Sequence, residues 1–124
     1  MKRCIIIEDN KMMATILAQL LRKCVTSSQV FYAPNAQQGY QLLTKHEADV
    51  IFLDLNLSQP LDGIDVLMNI REIYSDLPIV IVTSDSEMDT VKKVIAHNPT
   101  DYLIKPLSLN KLQLCLEKIF PSPQ

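Results

Sequence analysis

The sequence predicts an α/β fold: a (βα)5 doubly wound three-layer sandwich whose five-stranded parallel sheet runs in the order 2-1-3-4-5. Two observations carry this. Short apolar runs rich in β-branched residues, such as Val50-Ile51-Phe52-Leu53, alternate with amphipathic stretches of helical period, and strands buried on both faces belong to parallel sheets covered by helices. Parallel neighbours need right-handed crossovers, which puts helices on both faces. A third observation concerns the ends of these runs. They close on Glu8-Asp9, Asp54, Thr83 and Lys105, and the carboxyl edge of an open α/β sheet is where ligands bind.

Each element follows in order. Cys4-Ile5-Ile6-Ile7 is the first strand, ended by Glu8-Asp9-Asn10. Apolar residues at 13, 16, 17, 20, 21 and 24 form the inward stripe of a helix from Met13, broken at Val25-Thr26. Gln29–Tyr32 is the second strand, and Asn35 caps a helix reaching Leu43, with Gln38 at the reciprocal capping position. Ala48–Asp54 is the third strand. The turn Ser58–Gly63, punctuated by Pro60 and Gly63, leads to a helix from Ile64 to Tyr74 that Asp62 would cap. Pro78–Thr83 is the fourth strand, and Ser86 with Asp89 makes a capping box for a helix that carries Met88, Val91, Val94 and Ile95 on one face. Asn98-Pro99 ends it. Tyr102–Lys105 is the fifth strand, stopped by Pro106, and Leu109–Phe120 is the last helix, with Leu109, Leu112, Leu116, Ile119 and Phe120 inward. Residues 1–120 therefore read as one domain and residues 121–124 as a tail or the start of a linker.

Composition narrows the function classes. With 124 residues, 48% of them hydrophobic, the chain suits one compact core. A net charge of −2 and no basic stripe beyond Lys2-Arg3 and Lys92-Lys93 argue against direct nucleic-acid binding. No apolar run approaches the roughly 20 residues of a membrane span. Cys4, Cys24 and Cys115 are odd in number, widely spaced and preceded by no signal-peptide pattern, so reduced thiols and a cytoplasmic location are expected. His46 and His97 have no identifiable partner.

In the 2-1-3-4-5 order the topological switch lies between strands 1 and 3, so Glu8, Asp9 and Asp54 converge there. Two unit charges about 4 Å apart repel by about 4 kcal/mol at an effective dielectric near 20, and three carboxylates give several such pairs. A divalent cation resolves this conflict. Hard oxygen ligands with positions left for water and phosphate suit Mg²⁺. Thr83 and Lys105 end neighbouring strands on the same edge, adding a hydroxyl and an ammonium able to hold a phosphoryl group. Taken singly, Asp54 could be a strand-end acid, Lys105 a solvated lysine and Tyr102 a half-buried strand aromatic. Their joint placement defeats those readings.

Glu8-Asp9, Asp54, Thr83-Ser84 and Lys105-Pro106, with Tyr102 three residues before the lysine, resemble the receiver domains of two-component response regulators along essentially the whole chain. The resemblance implies that Asp54 accepts a phosphoryl group from a phosphohistidine, with a sensor histidine kinase or phosphotransfer protein as partner. It implies Mg²⁺ held by Asp9, by Glu8 largely through water, by Asp54 and by the backbone carbonyl of Asn56. Thr83 and Lys105 would bind phosphoryl oxygens, and the Lys105–Pro106 bond would be cis. Thr83 and Tyr102 would form the switch, remodelling the face made by the fourth helix, fifth strand and fifth helix. That face could also pair two copies as a homodimer, and a C-terminal output domain could lie beyond this chain. Such a domain catalyses only its own phosphorylation and dephosphorylation.

The sequence also departs from the family. Ser58 stands where receivers often carry Pro, and Asp62-Gly63 come one residue late, so the loop is expected to be one residue longer. Asn98-Pro99-Thr100 replaces a common Gly-Ala and should stiffen the approach to the fifth strand. Asp85, two positions after Thr83, could orient water and set the phosphoryl lifetime. Other classes fit these residues less well. A haloacid-dehalogenase-like phosphotransferase would use Asp54-Leu55-Asn56, but Asn56 cannot act as a general acid. A flavodoxin-like nucleotide binder would place a phosphate against Glu8-Asp9, which would repel it. An unphosphorylated docking module would have no use for the full residue set.

Overall fold

The computed structural model describes residues 2–59 and 62–121. Five strands, β1 (Lys2–Ile7), β2 (Ser28–Ala33), β3 (Val50–Leu53), β4 (Ile79–Thr83) and β5 (Asp101–Ile104), alternate with five helices. These are α1 (Lys11–Cys24), α2 (Ala36–Lys45), α3 (Gly63–Ile73), α4 (Met88–Ile95) and α5 (Leu109–Ile119). The sheet is parallel throughout, in the order β2-β1-β3-β4-β5. This is the predicted architecture.

Alternation along the strands divides the core between two layers, because successive side chains point to opposite faces. Ile5, Ile7, Ile51, Leu53, Ile79 and Ile81 pack with Leu43, Val66, Leu67, Ile70 and Val94 from α2, α3 and α4. Cys4, Ile6, Val50, Phe52, Val80 and Val82 meet Ala14, Leu17 and Leu21 of α1 and Leu112, Cys115 and Leu116 of α5. Each fully buried Val, Leu, Ile or Phe of these layers contributes about 1.5–3 kcal/mol by leaving water, so neither layer is dispensable. Burial pushes the Cys4 thiol up to about 11 and the Cys115 thiol up to about 12, with Asp49 and Asp101 adding to the respective shifts. Both behave as small core hydrophobes.

Register levels the strand ends where the site is built. Ile7 is opposite Leu53, Leu53 opposite Ile81, and Thr83 opposite Ile104. The ladder continues one step further, Asp54 N–H donating to the Ile7 carbonyl (3.0 Å) and Lys105 N–H to the Thr83 carbonyl (2.8 Å).

Several local expectations are corrected. Asn10 caps α1 by accepting from Met13 N–H (3.1 Å), so that helix starts at Lys11 rather than Met13. Asp54 and Lys105 follow their strands instead of ending them. The Ser86-Asp89 capping box does not form; Glu87 occupies the cap position with no side-chain bond. Asp62 precedes α3 without capping it, for reasons given below. Leu109 (41% exposed) faces outward rather than into the core, because α5 buries a narrower stripe than its apolar content suggests, and Met88 (66%) and Ile95 (56%) of α4 are exposed. On α1, Ile16 is likewise exposed. His46 does have a partner, stacking on Phe31 with ring centroids 4.1 Å apart. Asn35 caps α2 as expected, accepting from Gln38 N–H (2.9 Å). The turn at Pro60-Leu61 and the tail at 122–124 lie outside the described residues.

Candidate functional site

The carboxyl edge of the sheet gathers the charged residues. Glu8 leaves β1 and Asp54 leaves β3, both nearly inaccessible, while Asp9 is exposed. One carboxylate oxygen from each of Glu8, Asp9 and Asp54 lies within 4.8 Å of the others. Lys105, arriving from the end of β5, places its Nζ 2.6 Å from Glu8 Oε1 and 3.4 Å from Asp54 Oδ2. Backbone amides hold the acids from below: Asn10 N–H donates to Glu8 Oε2 (3.2 Å) and Asn56 N–H to Asp54 Oδ1 (3.2 Å). The Lys105–Pro106 peptide bond is cis.

Three carboxylates against one ammonium leave the site short of positive charge. Burial raises the Glu8 pKa, and the hydrogen bond and charge of Asp54 add to this against the lowering influence of Lys105. Asp9 is raised too, by partial desolvation and by Glu8 beside it. Burial opposes the Lys105 ammonium, yet Glu8 and Asp54 outweigh it and hold that pKa above the usual lysine range. The donor set, three convergent carboxylates of hard oxygen, could hold a metal ion and would be relieved by one. Beside it a cavity of about 220 Å³ runs between Met13, Ile16 and Leu17 of α1 and Pro106-Leu107, with Glu8, Asp54 and Lys105 along its wall.

Thr83 and Tyr102 stand apart from this cluster but are linked to each other. The fully buried Thr83 accepts the Asp85 N–H on its Oγ1 (3.3 Å), and the Tyr102 hydroxyl donates to the Asp85 carbonyl (2.7 Å). Asp85 turns its own carboxylate to the Glu87 N–H (3.0 Å). This single loop residue thus joins the end of β4 to the aromatic ring on β5.

Two residues carry more of the site than their sequence signal suggests. Asp62 accepts from the N–H groups of Leu57 (2.7 Å), Ser58 (2.9 Å) and Gln59 (3.2 Å) and from the Ser58 hydroxyl (3.0 Å). Its pKa is lowered, these bonds overcoming a partial burial that acts the other way. The carboxylate thereby folds the β3–α3 loop instead of capping the helix. Gly63 donates its N–H to the Leu55 carbonyl (2.7 Å), and a Cβ there would strike the Asp54 carbonyl oxygen. Only glycine lets α3 start this close to Asp54. An acid followed by glycine near the end of a loop is the signal both residues leave.

The response regulator receiver domain model matches residues 4–117. The chain is 27% identical over 114 residues to a probable C4-dicarboxylate response regulator, DctR, of Priestia megaterium, covering 92% of this chain and 50% of that protein. It is 32% identical over 114 residues to the transcriptional regulatory protein ZraR of Klebsiella oxytoca, covering 92% of this chain and 25% of that one. The chain thus spans half the length or less of these curated relatives. A two-component response regulator from Clostridium difficile superposes with a TM-score of 0.87 at 27% identity, covering 96% of this chain and 95% of that one. The receiver domain of a DNA-binding response regulator from Colwellia psychrerythraea gives 0.89 at 23%, covering 98% and 100%, a likeness of fold. The phosphotransferase and docking-module alternatives are not favoured by these matches. With its strand order, its acidic edge and a family match spanning nearly its whole length, the chain belongs to the response regulator receiver domains of two-component signalling.

Proposed function

We propose that Asp54 is the phosphoacceptor of this domain and that Thr83 and Tyr102 relay its state. The observation that carries the reading is Lys105, drawn from β5 onto both Glu8 and Asp54. A carboxylate oxygen of Asp54 forms the new P–O bond while the P–N bond of a partner phosphohistidine breaks, and the imidazole leaves with the electron pair and takes up a proton. The attacking and transferred groups are both anionic, so position and charge compensation dominate the barrier. Glu8, Asp9 and Asp54, with the carbonyl of Asn56, would hold Mg²⁺, which supplies charge neutralisation and alignment when bound. Lys105 and the Thr83 hydroxyl, whose own proton is not used by its bond to Asp85 N–H, donate to phosphoryl oxygens.

Drawing Thr83 towards the phosphoryl group strains its bond to Asp85, and Tyr102, fastened to the Asp85 carbonyl, is released or follows. Phosphorylation then shifts the population of two packings of the α4–β5–α5 face. Exposed Met88 and Ile95 make that face a fitting surface for a target or a second copy. The donor is a sensor histidine kinase or a phosphotransfer protein in the cytoplasm. An output domain C-terminal to this domain, acting in transcription, would match the greater length of the relatives. Incubation with acetyl phosphate and Mg²⁺ followed by borohydride should convert position 54 alone to homoserine. Homoserine at 9, 5-hydroxynorvaline at 8, or neither alcohol at any of the three positions would refute the assignment.

A further inference from the structure

The end of α3, the entry to β4 and the α4–β5 connection are fastened together by one side chain. Half-buried Arg71 donates from Nε to the Asn98 carbonyl (2.8 Å), from Nη1 to the carbonyls of Tyr74 (3.0 Å) and Leu77 (2.5 Å), and from Nη2 to Thr100 Oγ1 (3.4 Å). Thr100 in turn is bonded to Ile79 twice, its Oγ1 accepting the Ile79 N–H (3.0 Å) and its own N–H donating to the Ile79 carbonyl (2.7 Å). Asn98 is the only described non-glycine residue at positive φ (59°) and closes α4 through its N–H to the Ile95 carbonyl (3.0 Å). It occupies the left-handed position that glycine usually takes after a helix, a conformation asparagine tolerates. The planar guanidinium satisfies four acceptors at fixed angles, which a lysine could not do.

We propose that Arg71 is a positioning residue that anchors the far end of the switching segment, so that motion begun at Thr83 is carried by α4 and stops at Asn98. The two ends of α4 are built differently. At its start Glu87 occupies the cap position with no side-chain bond, and Asp85 ties the preceding loop to Tyr102. At its end, Asn98 and Thr100 are held to α3 by charge-assisted bonds from Arg71, roughly twice as strong as neutral ones, and Thr100 is held to β4 by two neutral bonds to Ile79. A helix loose at one end and pinned at the other pivots rather than translates. None of the residues of the anchor lies in the phosphoryl site, so the chemistry at Asp54 is expected to be indifferent to it. The part of this inference that concerns phosphorylation rests on the function proposed above.

Hydrogen exchange read by mass spectrometry tests it on the whole chain, for the wild type, Arg71→Met and Thr100→Val, each before and after acetyl phosphate with Mg²⁺. Without phosphorylation, Arg71→Met should speed exchange across 91–100 and at Ile79 at least tenfold while leaving β1 and β3 unchanged. With phosphorylation, changes in the wild type should end at Asn98, whereas in Arg71→Met they should spread into 74–79. Unaltered exchange at 91–100, uniform acceleration of the whole chain, or the same boundary in both proteins would each overturn the anchor. Thr100→Val leaves Arg71 on Asn98, so it should show the same pattern more weakly and decides the matter if Arg71→Met fails to fold. The mass gain is read in the same samples. Its absence in the wild type would count against the phosphoacceptor alone, and the unphosphorylated comparison would still judge the anchor.

Discussion

Lys105 sits closer to Glu8 (2.6 Å) than to Asp54 (3.4 Å), so its ammonium is held chiefly by the acid that follows the first strand. Glu8 is nearly inaccessible, and a buried carboxylate paired with one ammonium is costly to leave alone. The same contact keeps Lys105 from neutralising Asp54 fully and, on the function proposed above, would leave it within reach of an incoming phosphoryl group.

Charge excess at this edge should be visible in stability. Glu8 and Asp9 have raised pKa values, so their stabilising contribution is complete below the ordinary carboxylate range and is lost as pH rises through their folded-state values. In metal-free buffer, Asp9→Asn should therefore stabilise the domain at pH 7 by about 0.5 kcal/mol, the scale of exposed charge contacts. Urea unfolding with EDTA and then with millimolar Mg²⁺ checks this. The gain should vanish with the cation, and a gain that persists would contradict the metal assignment.

Asp62 has the opposite sign. Its lowered pKa means a contribution present above the unfolded carboxylate value and lost as pH falls through the folded one. Asp62→Asn should cost about 1–2 kcal/mol at pH 7 by weakening charge-assisted bonds to three amides, reduced by their partial exposure. Unfolding midpoints of the two proteins should converge below about pH 4. Equal midpoints at pH 7 would show that the loop does not need the carboxylate.

Tyr102→Phe removes one hydrogen bond, to the Asp85 carbonyl, and should cost about 1 kcal/mol. The relay account expects more than this loss. The variant should take up phosphoryl groups at an unchanged rate, while chemical shifts of Asp85, Glu87 and Met88 move towards their phosphorylated positions before any phosphorylation. Shifts confined to the ring's immediate neighbours would break the proposed link to α4.

Asp85 lies two residues beyond Thr83, and its carboxylate is engaged with the Glu87 N–H. Asp85→Ala should still alter the half-life of phospho-Asp54, both by freeing the loop and by removing a group able to orient water. Decay followed by intact mass over time gives the answer. An unchanged half-life would leave the carboxylate only its role in the turn.

The fold was legible because period and burial are local properties of sequence. Ile5 and Ile7 against Cys4 and Ile6 already divide the two core layers, and the acids, threonine and lysine at the run ends mark one edge. Caps were harder to read. Asp62 looks like a helix cap by type and position, but three amides of a long loop compete for its carboxylate and win. Ser86 and Asp89 match a capping box, yet α4 starts one residue later, with Glu87 at the cap, so the pair is out of register with the helix end. Arg71 gave no signal at all, since its acceptors are backbone carbonyls and a hydroxyl up to 29 residues away. Exposure of Ile16 and Leu109 was invisible because periodicity marks an apolar face without saying what covers it.

The central claim is that the carboxylate of Asp54 is esterified at an edge made competent by a cation and Lys105. Intact mass after incubation with acetyl phosphate tests it most directly, for wild type and Asp54→Ala, with Mg²⁺ or with EDTA. One added phosphoryl group is predicted in wild type with Mg²⁺ and in no other sample. Equal uptake by Asp54→Ala, or uptake undiminished by EDTA, would contradict the account.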